Sequence, residues 1–291
     1  MRAVPRVATR LRGAAVAALA LASWLAPATA GATGTLPPAN PPANIAPVPD
    51  FLSSGSCTQS GTAFTCANPC VSVRLVKAVA HLVFPTYDDS AACVAFFLRS
   101  LDAARASEGL GPLTLPTNWS SLTIPEQLFV VADLERVDRG LPPYLGLNAK
   151  LSATARAAAR SGRDPLAAAG FFEARDRGTP AYGSTWASGY SALGADYVWM
   201  YDDGWGGPMT PNRACTSAGA HGCWGHRDEL LGADPGFNPG VGLACTTCEM
   251  GAGFALFHHG GAFADLVERP AGPPPPMYFT WARDVKPYLA H

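Results

Sequence analysis

The sequence predicts an α+β fold, and three features of its 291 residues carry that expectation. Capped segments of helical periodicity fill the stretch from residue 88 to 162. Glycine- and aromatic-rich segments follow, and the last of them read as strands of one sheet. Eight cysteines fall in an early and a late group, which favours local cross-links around a layered domain.

The first 30 residues read as a secretory signal peptide. Arg2, Arg6, Arg10 and Arg12 precede an apolar run of about a dozen residues and the small-residue pattern Ala28-Thr29-Ala30. The run is too short to span a bilayer, and no later stretch has the required apolar length, so the mature protein is expected to be secreted, extracellular and without a transmembrane anchor. Removing residues 1–30 leaves 17 Lys plus Arg against 22 Asp plus Glu, a balance of −5. With no run of clustered basic residues after the signal, nucleic acid is not an expected partner. The scarcity of lysine beside abundant Ala, Gly and Pro suggests a GC-rich bacterial genome.

Residues 31–50, "GATGTLPPANPPANIAPVPD", read as an extended and uncovered Pro/Ala linker. Residues 51–122 form an N-terminal unit of a cysteine-closed hairpin, "SCTQSGTAFTC", and a helix. That helix is capped at Asp89 or Ser90, carries Val94, Phe97, Leu98 and Leu101 at helical spacing, and stops at Gly109. A second helix opens at Thr123-Ile124-Pro125-Glu126, where Thr123 and Glu126 have capping-box spacing, and runs to Gly140. A third, alanine-rich helix starts at an Asn148 cap and ends at Gly162. Short helices are expected near Ala195–Asp202 and Arg227–Leu231. Strands are expected at "VGLAC", "GAGFALFHH" and "AFADLVER", followed by a C-terminal segment 270–291 in which "AGPPPPMYF" closes the domain and residues 278–291 pack on the surface.

Two helix ends echo each other. "DAARASEGLGPL" and "DLERVDRGLPPY" share Asp-x-x-Arg-x-x-x-Gly-Leu at an offset of 31 residues, which is too little repetition for a solenoid and suggests chance or one helix-ending solution used twice. Cysteine connectivity stays open. The shortest-loop pairing joins Cys215 to Cys223 and Cys245 to Cys248, with Cys57–Cys66 and Cys70–Cys93 as the early pairs.

"GCWGHRDELLG", Gly222–Gly232, concentrates the candidate chemistry. In one reading it is a helix start: Gly225 permits the turn, and Asp228 and Glu229 place negative charge in the first turn, where free N–H groups favour it. In the other, His226 and Asp202 are polar fixtures of a cleft walled by Trp186, Trp199 and Trp224, and Ser184 is a further candidate. A zinc hydrolase is a further alternative. His226 and Glu229 lie one helical turn apart, and His258, His259 or His221 would complete a site.

The segments "DLERVDRGLPPYLGLNAKLSATARAAA", "YGSTWASGY", "YVWMYDDG", "GCWGHRDELLG" and "PGVGLAC" together resemble successive landmarks of the CAP superfamily, the SCP domain of cysteine-rich secretory, antigen 5 and pathogenesis-related proteins. The resemblance covers roughly residues 125–269 and places a CAP-like domain at 123–269. It implies an α-β-α sandwich held by disulfides, and a binding module for a lipid, a cell-envelope glycan or a protein. Many members line a cleft with two histidines and two acidic residues able to hold a divalent metal. On this sequence one histidine falls on His226 and one acid on Asp202, while the other two places hold Ala158 and Ser184. Half the constellation is missing, so no metal cofactor is expected, with zinc as the alternative.

Overall fold

Each of the three long helices begins at the cap its sequence supplies. The computed structural model describes residues 39–45, 57–60, 63–66, 69–70, 74–76, 81–83, 90–166, 182–189, 191–207, 212–220, 222–232, 245–257, 260–270 and 272–289, all within the chain's compact unit Gly34–His291. The signal segment, the Val241–Ala244 part of "VGLAC" and the tip residues His258 and His259 lie outside them. Two short antiparallel hairpins come first, β1 (Cys57–Ser60) with β2 (Ala63–Cys66) and β3 (Arg74–Val76) with β4 (His81–Val83).

Helix α1 (Ala91–Ser107) starts where the Ser90 hydroxyl accepts the Cys93 N–H. In α2 (Ile124–Val137) the Glu126 carboxylate turns back to accept the Thr123 N–H at 2.7 Å, the capping box read from the sequence. Asn148 accepts the Lys150 N–H at 2.8 Å to open α3 (Ala149–Ser161), which Gly162 ends in the left-handed region at φ 64°. Ser191 caps α4 (Ala192–Tyr201), a helix buried on nearly every side, and α5 (Gly225–Leu231) follows.

Among the described residues the main sheet has three antiparallel strands in the order β5 (Tyr182–Gly189), β7 (Gly260–Glu268), β6 (Glu249–Phe257). Strand alternation sorts its faces. Ala255, Ala262 and Ala264 meet Ala155 and Ala159 of α3, whereas Met250, Ala252, Phe263 and Val267 join the core containing α1, α2 and α4. Helix α3 lies unusually close to the sheet. A Cβ on Gly251 or Gly253 would collide with the backbone of Leu151 or of Ala155 and Arg156. The outer edge of β6 is covered at its start by residues 145–148, where Met250 N donates to the Gly146 carbonyl (3.0 Å) and Asn148 N to the Met250 carbonyl (2.8 Å).

Strand β5 was not expected, because its buried positions Gly183, Thr185 and Ala187 are small and leave no hydrophobic alternation to read. Two further expectations are corrected. The final segment is not confined to the surface: Phe279 and Val285 are buried, and Phe279 meets Phe129 edge to face at 5.6 Å. The described part of the Pro/Ala linker, residues 39–45, is docked. Ile45 N donates to the Tyr201 carbonyl, Tyr197 Oη donates to the Ile45 carbonyl, and the Asn44 side chain accepts the Gly204 N–H.

Disulfides join Cys70–Cys93, Cys215–Cys223 and Cys245–Cys248. The register of β1 and β2 sets Cys57 opposite Cys66, whose side chains lie outside the described residues. Among the described residues no helix is long and apolar enough to cross a membrane.

The echoed motif is one structure built twice. Asp102 accepts the Leu113 N–H and Asp133 the Tyr144 N–H, both at 2.8 Å. Arg105 Nε donates to the Gly111 carbonyl and Arg136 Nε to the Pro142 carbonyl, both at 2.9 Å. Gly109 and Gly140 take φ 77° and 74°, conformations that favour glycine. Every partner is displaced by the same 31 residues as the motif, so the echo reports a shared way of ending a helix.

The contact between α3 and the sheet gives a direct test. Gly253→Ala is expected to lower stability by about 1–3 kcal/mol through overpacking against a rigid helix backbone. Gly111→Ala, whose Cβ meets nothing within 4 Å, should be close to neutral in the same urea unfolding assay.

Candidate functional site

His226 lies at the start of α5, and its surroundings are set by the loop that leaves α4. Helical spacing ends at Tyr201, so Asp202 and Asp203 point to different places. Asp203 is buried and organises the site. Its Oδ2 accepts the His226 backbone N–H at 2.8 Å, and its Oδ1 lies 2.8 Å from His226 Nδ1. Its carbonyl accepts the Trp224 N–H, and the Asn212 amide reaches both that carbonyl (2.9 Å) and Oδ1 (2.7 Å). The opposite ring nitrogen, Nε2, is 3.4 Å from Asp164 Oδ1, just beyond α3.

Two carboxylates on two ring nitrogens require a donor at each nitrogen, which is the imidazolium form. Burial works to lower the His226 pKa, but the hydrogen bonds and charges of Asp164 and Asp203 outweigh it and hold the group well above its ordinary value. The helix start is therefore capped from a distance by Asp203. The turn into α5 is made by Trp224 at φ 64°, not by Gly225, whose expected role is thereby corrected. Trp224 packs against Gly204, where any Cβ would strike the indole. Asp228 sits in the first turn as expected and accepts from Asn40.

The other candidates separate. Asp202 does not pair with His226. Both its oxygens lack a hydrogen-bond partner among the described residues, and burial, with help from Asp203, pushes its carboxyl up to about 7. Trp199 is wholly inside the core and so cannot wall an open cleft, while Trp224 is nearly buried. Trp186 is half-buried beside the alanine cluster under α3. Ser184 and Glu229 do come together, through the Ser184 N–H and Glu229 Oε2 at 2.6 Å, which ties β5 to α5. Of the zinc alternative, His226 faces its aspartates and Glu229 holds this backbone amide, while His258, His259 and His221 lie outside the described residues. Among the described residues no three His, Cys, Asp or Glu side chains are grouped to hold a metal.

Sequence reasoning missed Asp203, Asp164 and Asn212. The Asp-Asp doublet was visible, but the resemblance put the acid on Asp202, and it is Asp203, beyond the end of α4, that meets His226.

Behind His226 lies a buried charge network. Arg227 donates to the Met200 carbonyl at 2.6 Å and pairs with Glu108 at 2.7 Å. Glu108 also pairs with Arg139, which pairs with Glu135, and Glu135 pairs with Arg105. A separate groove of about 670 Å³ lies along α3, bordered by Thr123–Pro125 and Ala252–Phe254, and none of the six cleft candidates lines it.

No family model, characterised protein or solved structure matches this chain.

Buried acids give the protein a predicted pH dependence. Burial raises Asp133 to about 8, Asp202 to about 7 and, with Glu249 opposite it across the strands, Glu268 to about 8, from ordinary values of 3.8 to 4.5. Asp196 and Asp265 are raised for the same reason. The folded state thus holds protons that the unfolded chain releases, so this stability is complete below about pH 4 and is lost as pH rises through 7–8. His226 contributes with the same sign, its share being lost as pH rises through its elevated value. The melting temperature is expected to be higher at pH 5.5 than at pH 8.5, and Asp202→Asn should flatten part of the fall. A melting temperature that climbs over this interval would contradict it.

Proposed function

We propose that the chain is an exported, disulfide-stabilised binding module of CAP type that does not act as an enzyme. Its ligands are drawn from lipids, cell-envelope glycans and proteins. The ordered landmarks from Asp133 to Cys245 support the CAP reading, as do the helices on both faces of a small antiparallel sheet and the local disulfides. Export rests on the signal-like residues 1–30 and is in keeping with the three disulfides among the described residues.

One observation carries the preference for binding over metal hydrolysis: both ring nitrogens of His226 are engaged by carboxylates. A metal ligand must offer a nitrogen lone pair, and an imidazolium has none. In this reading His226 joins the start of α5, the loop after α4 and the end of α3 into a rigid wall, beside which Ser184 and Trp186 remain partly accessible.

Native mass spectrometry of the secreted protein, purified without chelators, tests this. The expected result is no stoichiometric zinc and an unchanged mass profile for His226→Ala. One equivalent of zinc, lost in His226→Ala, would overturn the proposal in favour of a hydrolase using His226, Glu229 and a third histidine.

A further inference from the structure

We infer that the groove along α3 binds an anionic polysaccharide, a linear glycan bearing carboxylates. This site is separate from His226, and the inference holds whether or not the CAP reading does.

The groove runs past Ala149, Ser152, Ala153, Arg156, Ala157 and Arg160, about 17 Å of helix. Its volume of about 670 Å³ falls in the range of ligand sites. Charge defines what it accepts. Residues 149–163 contain Lys150, Arg156, Arg160 and Arg163 and no acid, in a chain whose acids outnumber its bases. Arg156 and Arg160 are exposed, and neither guanidinium has a hydrogen bond or ion pair among the described residues. Like charges one turn apart oppose helix formation, so the pair stands without internal compensation and is free to fork onto carboxylates.

Other anionic occupants fit less well. A peptide added as a strand to the β6 edge would need main-chain groups already in use. Met250 is bonded to Gly146 and Asn148, and the Ala252 N–H donates to Ser152 Oγ at 3.3 Å. A second copy of the chain, docking α3 against α3, would set arginine against arginine. What the groove leaves available is side-chain chemistry. Ser152 and Phe254 line the groove together with Arg156 and Arg160, and beside it Tyr278, which is exposed, sets its hydroxyl 3.1 Å from that of Ser152. Hydroxyls, an aromatic face and cations together suit a carboxylated sugar chain.

The test titrates the full mature protein at low salt with oligogalacturonate, with a neutral dextran of similar size, and with poly-L-glutamate. Oligogalacturonate is expected to bind, with affinity falling as salt rises because counterions are released from the polyanion. Arg156→Gln/Arg160→Gln should weaken it at least tenfold, while the charge-matched control Arg213→Gln/Lys286→Gln leaves it unchanged. Dextran should not bind, and poly-L-glutamate should bind far more weakly. Equal binding of poly-L-glutamate would overturn the glycan in favour of an acidic peptide. No oligogalacturonate binding, or binding that the control weakens as much, would overturn the site. Thermal unfolding of each variant confirms that it is folded.

Discussion

Two buried guanidinium groups each bind in two directions, and the arrangement of the helices depends on them. Arg105 and Arg136 both use Nε to hold the turn that ends their own helix. Their remaining nitrogens reach forward. Arg105 pairs with Glu135 and Asp138 of the next helix and its exit. Arg136 donates to the carbonyls of Leu230 and Cys245 at 2.9 and 3.1 Å, while its guanidinium stacks 4.0 Å from the Tyr144 ring centre. The repeated motif therefore links α1 to α2, and α2 to α5 and the disulfide loop before β6. A fork of five donors in fixed geometry makes this possible, and lysine could not reproduce it.

The price of burying such groups is desolvation, which is tolerable only if every charge meets partners. Here the acids alternate with the bases from Arg105 through Glu135, Arg139 and Glu108 to Arg227, and Tyr201 Oη lies within hydrogen-bond distance of both Glu135 and Arg139. Loss of one partner from a chain of this kind costs about 3–5 kcal/mol, because the charge left behind stays buried. The same chain reaches the residue after His226. The site therefore stands next to the helix packing along the chain, with the His226 group and the buried network meeting at adjacent residues of α5.

Local chemistry was legible in the sequence wherever one residue sets one bond. The Thr123–Glu126 box, the Asn148 cap, the Gly162 stop and the first hairpin, whose register sets Cys57 opposite Cys66, all depend on neighbours within a few positions. Strand β5 was hidden because the positions it turns to the main core, on the face of Phe263 and Val267, are the small residues Gly183, Thr185 and Ala187, which carry no periodic signal. The docking of residues 39–45 was hidden because a proline-rich composition describes the unfolded preference of a segment and not what Ile45 and Asn44 can bond 152 and 160 positions along the chain. At the site, His226 was found but its partners were not. Asp203 is 23 positions away and Asp164 is 62, and which of two adjacent aspartates turns inward is decided by where α4 unwinds. The buried arginines left one trace, the 31-residue echo, whose meaning needed the forward contacts to be seen.

The central claim is that each motif arginine ends one helix and holds the next element. Hydrogen exchange of Arg136→Lys, which keeps the charge but loses the fork, tests it most directly. The expected result is faster exchange at Gly225–Leu231 and at Cys245–Met250, as well as at the α2 exit, with α1 protected as in the parent protein. Loosening confined to residues 138–144 would show that Arg136 serves only its own helix end, and would contradict the account.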